Sequence, residues 1–160
     1  MKRAVWALTF AAAANYALLF WYGMRVLDGQ KQLDLYVLGY SHPQVMAFIA
    51  GLEPGMAQKL TTEVRLIDTS FPILLGLALV GWMLIAGRGL GLVRVVAALI
   101  PLAYALVDLY ENHLIAGILT SALPGVEQVA LASAATITKF ILIGGSAIIL
   151  LWFIYRRIRG

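Results

Sequence analysis

Four apolar stretches decide what this chain can fold into. They run approximately over residues 4–23, 70–87, 95–118 and 137–155. Each is about as long as the roughly 20 residues a helix needs to cross the hydrocarbon core of a bilayer. In lipid every backbone N–H and C=O must find a partner within the protein, so such stretches are predicted to be helices. The expected fold is all-α: a four-helix up-down membrane bundle forming a single domain over residues 1–160.

The rest of the composition fits that class. Hydrophobic residues make up 62% of the chain and charged residues only 12%, where a soluble domain carries about 25% charged residues. The absence of cysteine excludes disulfides, thiol nucleophiles, Cys-ligated zinc and iron–sulfur clusters. The net charge of +4 reflects membrane orientation rather than affinity for nucleic acid. The first apolar run exceeds the roughly 7–15 residues of a signal-peptide core. It ends in Phe20-Trp21-Tyr22 instead of small residues at a cleavage site, so it is expected to stay as a span.

The basic residues orient the chain. Lys2, Arg3, Arg88, Arg94, Arg156, Arg157 and Arg159 flank one side, with no acid among them. All eight acids fall on, or in the half nearer, the opposite side. Basic residues mark the cytoplasmic side, which places both termini and the 88–94 turn in the cytoplasm and the 24–69 segment outside. Trp6, Trp82, Trp152 and Tyr155 then lie near the inner interface, and Trp21 and Tyr22 near the outer one. A multi-pass protein of a bacterial inner membrane is expected.

The external segment carries helical signals of its own. Ser41-His-Pro-Gln44 has capping-box spacing, with Pro43 suited to a first helical turn. Val45, Phe48, Ile49 and Leu52 follow on one face, and Gly51 and Pro54 end the helix. A second pattern, Met56, Leu60, Val64, Ile67 and Phe71, runs into the second span. The 41–69 segment is therefore read as amphipathic helices lying on the outer surface or capping the bundle. Asn15, Gly144-Gly145 and Ser146 are read as marks of close helix packing. The Gly87-to-Gly91 turn lacks the strand and acid context of a nucleotide-binding loop.

Within the third apolar stretch stands Asp108-Leu-Tyr-Glu111-Asn112-His113. Ionisable groups inside a span cost a few kcal/mol each and mark candidate sites. At 100° per residue, Tyr104, Asp108, Glu111, Asn112 and Ile115 share a face, whereas His113 points about 140° away from Asp108. That split, and the missing Glu-x-x-His spacing, argue against a metal site from this span. Thr61, Arg65 and Asp68 share a face leading into the second span, and Lys139 opens the fourth at similar depth. Arg65 and Lys139 are the expected counterions of Asp108 and Glu111. Two carboxylates held close together would raise one pKa and make a proton exchangeable, so Asp108 and Glu111 are the candidate acid–base groups.

Leu38-Gly-Tyr-Ser41, Asp68-Thr-Ser-Phe71-Pro72 and Asp108-Leu-Tyr-Glu111-Asn112 together resemble small four-span bacterial inner-membrane proteins of uncharacterised function. In architecture the chain is also similar to the EXPERA group of sterol isomerases and sterol-binding proteins. That likeness implies acids lining an apolar cavity, with Glu63, Asp68, Asp108 and Glu111 the positions able to serve.

The first expectation for function is a non-catalytic accessory, assembly or binding subunit whose external segment meets a protein partner. The alternative is an enzyme or binder for a lipid- or isoprenoid-like ligand. A proton-coupled carrier is a third class, weakened by the lack of a broken-helix pair. The expected ligand-binding set is Arg65, Asp68, Tyr104, Asp108, Glu111, Asn112 and Lys139. No cofactor, metal or haem is implied; His42 and His113 stand on different segments with nothing to join them.

Overall fold

A computed structural model describes residues 1–28 and 30–159. Its elements are helical throughout, with no strand among the described residues. The first helix, α1, covers Lys2–Leu27; a single 3₁₀ turn at Leu33–Leu35 and the short α2, His42–Ala50, follow it. α3, Met56–Lys59, passes through a π-helical turn at Leu60–Val64 into α4, Arg65–Ala86. Two long helices complete the chain: α5, Leu92–Thr120, and α6, Val126–Arg159.

Among the described residues four stretches are long and apolar enough to cross a membrane: Lys2–Leu27, Met56–Ala86, Leu92–Thr120 and Val126–Arg159. This is a multi-pass membrane protein. α4 packs against α1 and α5, and α5 packs against α6. The helices overrun the apolar stretches because their polar ends continue the same backbone hydrogen bonding. The difference is largest in α6. Lys139 does not open that helix but lies roughly 20 Å along it from Val126.

Three local features hold the segment between the first two long helices. Gln44 closes the start of α2, its Oε1 accepting from the Ser41 backbone N at 2.7 Å and from Ser41 Oγ at 3.0 Å. Val45 is fully buried and packs with Leu33 and Tyr40 against Ile118, Val129 and Ala132 of α5 and α6. His42 Nε2 lies 2.9 Å from the Pro124 carbonyl in the α5–α6 turn. Burying an aliphatic side chain of this size stabilises by about 1.5–3 kcal/mol. The segment therefore seats on the helix ends through its own apolar face.

The π turn carries two hydroxyl back-bonds. Thr61 and Thr62 are adjacent and β-branched, and their hydroxyls donate back to the Ala57 and Gln58 carbonyls at 2.9 and 2.8 Å. Such back-bonding competes with the regular backbone pattern in this turn. Tyr22 donates to the Glu63 carboxylate, tying the end of α1 to this turn.

Small residues set two of the helix contacts. A Cβ on Gly81 would collide with Val5 of α1. One on Gly76 would stand 3.1 Å from the Pro101 carbonyl and 3.0 Å from Ala105 of α5. Asn15 donates to Ser70 Oγ at 2.6 Å, linking α1 to α4. The glycine pair of α6 behaves otherwise: a Cβ on Gly144 or Gly145 would meet nothing within 4 Å. Close packing is thus not their role. Only Ser146 is buried there, and its hydroxyl turns back to the Leu142 carbonyl at 2.8 Å.

Candidate functional site

The polar residues of α5 face inward. Tyr104, Asp108, Glu111 and Asn112 are all buried, while His113 on the other face is exposed. α6 lies against that face and delivers Lys139, itself only 7% exposed. Its Nζ stands 2.7 Å from Glu111 Oε2, 3.2 Å from Asp108 Oδ1 and 3.9 Å from Asp34 Oδ2. Tyr104 donates its hydroxyl to Asp108 Oδ2 at 2.9 Å, and Thr136 donates to Glu111 Oε1 at 2.5 Å. Each inner carboxylate therefore has the lysine on one oxygen and a hydroxyl on the other. Such saturation is what allows charged groups to stay in an apolar interior.

One expectation is corrected and one residue is added. Arg65 is not a counterion of Asp108 or Glu111: among the described residues Lys139 alone bridges them. Arg65 sits half-buried on α4, beside a different part of the site. The third carboxylate on the lysine is Asp34, from the 3₁₀ turn before α2. Periodicity could not find Asp34, because it lies in a connection without a repeating pattern, 105 positions before its partner in a chain of 160. Its one visible sign is an acid flanked by Leu33 and Leu35. Burial pushes the Asp34 carboxyl above its ordinary value, an effect that Lys139 opposes and Asp108 reinforces.

The loop carrying Asp34 is held down at its far end as well. Gly39 has φ +81°, and a Cβ there would stand 2.5 Å from Ser133 Oγ of α6. The next residue, Tyr40, donates its backbone N–H to that same hydroxyl at 2.8 Å. Burial pushes the Tyr40 phenol up to about 12.

Two cavities meet at the cluster. The larger, about 250 Å³, has Asp34, Asp68, Tyr104, Asp108 and Lys139 on its polar side. Leu19, Phe20, Phe71, Phe140 and Ile143 form much of the remainder. The smaller, about 60 Å³, lies toward α2 and the π turn, with Thr61, Arg65 and Asn112 among its walls. Gln32, Asp34 and Asp68 belong to both. Tyr16 and Phe71, with ring centres 5.3 Å apart, line the larger cavity and also an open groove of about 310 Å³ between α1 and α4. Glu111 is fully buried and is not part of any of these walls.

Comparison with protein-family models, curated proteins and solved structures finds no match to this chain.

Among the described residues no group of three or more His, Cys, Asp or Glu side chains is arranged to hold a metal ion. Three carboxylates meet one lysine and Asp68 lines the same cavity; Asp34 and Asp68 face open space rather than a full set of donors. Beside them Asn112 is 6% exposed with its Nδ2 unpartnered. An unpaired buried amide costs about 1–3 kcal/mol. The walls thus combine unused acceptors and an unused donor at one end with an aromatic and aliphatic lining at the other.

Proposed function

We propose that this protein binds a lipid-like amphiphile inside its helical bundle, as a binding subunit without catalytic activity of its own. The polar end of the ligand lies among Asp34, Asp68, Asp108 and Lys139. Its apolar part runs past the Tyr16–Phe71 pair toward the α1–α4 groove. The observation that carries this is a charged cluster on the wall of an apolar-lined cavity of about 250 Å³, beside a groove open at the side of the bundle, with Tyr16 and Phe71 lining both. Ligand sites are typically concave and largely apolar, with a few convergent polar groups.

The bundle is read as up-down, with both termini cytoplasmic and residues 24–69 outside, in a bacterial inner membrane. The seven basic residues at the termini and the 88–94 turn support that orientation. The 41–69 segment then caps the outer end, and the cluster lies toward the outer leaflet. Arg25 over Trp21 and Arg156 over Trp152, at 4.2 and 6.0 Å, are suited to the two interfaces.

The test is extraction of the detergent-purified protein with organic solvent, followed by mass spectrometry. The native protein should yield an enriched amphiphile, and Ala13→Trp, which fills the groove, should yield much less. Equal amounts from both would overturn the reading. A second reading, acid–base chemistry on such a ligand, rests on Asp108, the one of the two candidate acids that faces the cavity. Turnover abolished by Asp108→Asn, with binding retained, would favour it.

A further inference from the structure

We infer that the ligand's head group carries an ammonium beside an anionic oxygen group, as in a phosphoethanolamine amphiphile. The inference rests on the amphiphile-binding reading and specifies its polar end. Two complementary sets of unused groups meet at the shared wall of the two cavities. On that wall stand Asp34 and Asp68. Asp34 approaches Lys139 only at 3.9 Å, and Asp68 forms no ion pair with any described residue. Carboxyl oxygens in that state are acceptors suited to an N⁺–H donor.

The smaller cavity adds the opposite chemistry. Asn112 Nδ2 is buried without an acceptor, and Arg65 lines the same space without a carboxylate partner among the described residues. A guanidinium and an amide N–H₂ are donors suited to a phosphate oxygen. The cavity's 60 Å³ holds a few water-sized groups. A ligand with a cation alone would leave Asn112 and Arg65 unmatched. One with an anion alone would meet the carboxyl groups of Asp34 and Asp68. Only a head group with both ends matches the two sets.

The tail follows from the same geometry. The larger cavity carries its apolar wall, with Tyr16 and Phe71 bordering the α1–α4 groove, on the side away from Arg65 and Asn112, so the apolar part lies on that side.

Native mass spectrometry of the detergent-released protein with defined lipids tests this. Phosphatidylethanolamine should bind at least about tenfold more tightly than phosphatidylglycerol or phosphatidylcholine, a difference of about 1.4 kcal/mol. Asp68→Asn should weaken phosphatidylethanolamine and leave phosphatidylglycerol unchanged, whereas Arg65→Gln should weaken both. Thermal unfolding recorded on each variant separates lost binding from lost folding; Asp34→Asn repeats the test if Asp68→Asn does not fold. Equal binding of all three lipids overturns the head-group inference and leaves the amphiphile-binding reading standing. Binding of no lipid overturns both. Soluble glycerophosphoethanolamine binding as tightly as the lipid retains the head-group assignment and overturns the role of the groove.

Discussion

Lys139 Nζ stands 2.7 Å from Glu111 Oε2, and the glutamate it meets is fully buried. α5 and α6 are thereby joined by a buried charge pair. Thr136, one turn before the lysine on α6, binds the other oxygen of the same carboxylate at 2.5 Å. Removing one partner of a buried pair costs about 3–5 kcal/mol, because the other is left unmatched. Lys139→Met should lower stability by that amount. Lys139→Met with Glu111→Gln should lose clearly less than the sum of the two single changes. Additive losses in a double-mutant cycle of unfolding free energies would show that the pair is not coupled.

Gly39 and Gly55 are a matched contrast. Both have positive φ, +81° and +85°, but only Gly39 has neighbours where a Cβ would stand. Gly55→Ala should cost about 1 kcal/mol for its left-handed backbone. Gly39→Ala adds the collision with Ser133 and should cost clearly more, about 2–4 kcal/mol. It should also loosen the loop that brings Asp34 to Lys139. Hydrogen exchange at Leu33–Tyr40 is the measurement, and equal exchange in the two variants would refute the distinction.

Asp34 sets a pH dependence with a definite sign. Burial raises its pKa above the ordinary 3.8, so the folded chain holds this proton more tightly than the unfolded one. Its contribution is fully present below the unfolded value and is lost as pH rises through the raised folded value. Asp34→Asn should therefore flatten the fall in melting temperature as pH rises above about 4. A variant whose pH profile runs parallel to that of the native protein would contradict this.

The glycines of the long helices should divide into two classes. Gly81→Ala forces α1 away from α4 at Val5 and should destabilise by about 1–3 kcal/mol. Gly144→Ala enters open space and should stabilise by about 0.5–1 kcal/mol through lower backbone entropy in the unfolded chain. A destabilising Gly144→Ala would point to a contact at that face in the assembled protein.

Orientation is directly measurable because the chain contains no cysteine. A single cysteine at exposed Glu53 should react with a membrane-impermeant maleimide on intact cells. One at exposed Arg88 should react only after permeabilisation. The opposite pattern would invert the topology.

Much of this molecule is legible along the chain, and the reason is local. Lipid forces each long apolar stretch into a helix whatever surrounds it, so four such helices follow from hydropathy alone. The capping of α2 by Gln44 and the inward face of Tyr104, Asp108, Glu111 and Asn112 are equally local, fixed by spacings of three and four residues. Helical phase likewise separates His113, which the structure leaves exposed.

What periodicity could not supply are the relations between segments. Asp34 joins Lys139 only because a 3₁₀ turn in the 24–69 connection settles on α5 and α6. Arg65 lines a cavity and does not serve as a counterion, since Lys139 already occupies the oxygens that α5 presents. Gly144 and Gly145 face open space, although their composition matched that of a packed contact. The chain by itself determined the helices, their polar face and the pattern of charge at their ends. Tertiary structure decided which carboxylates share the lysine and where the cavities open, because those depend on side chains from distant segments packing together.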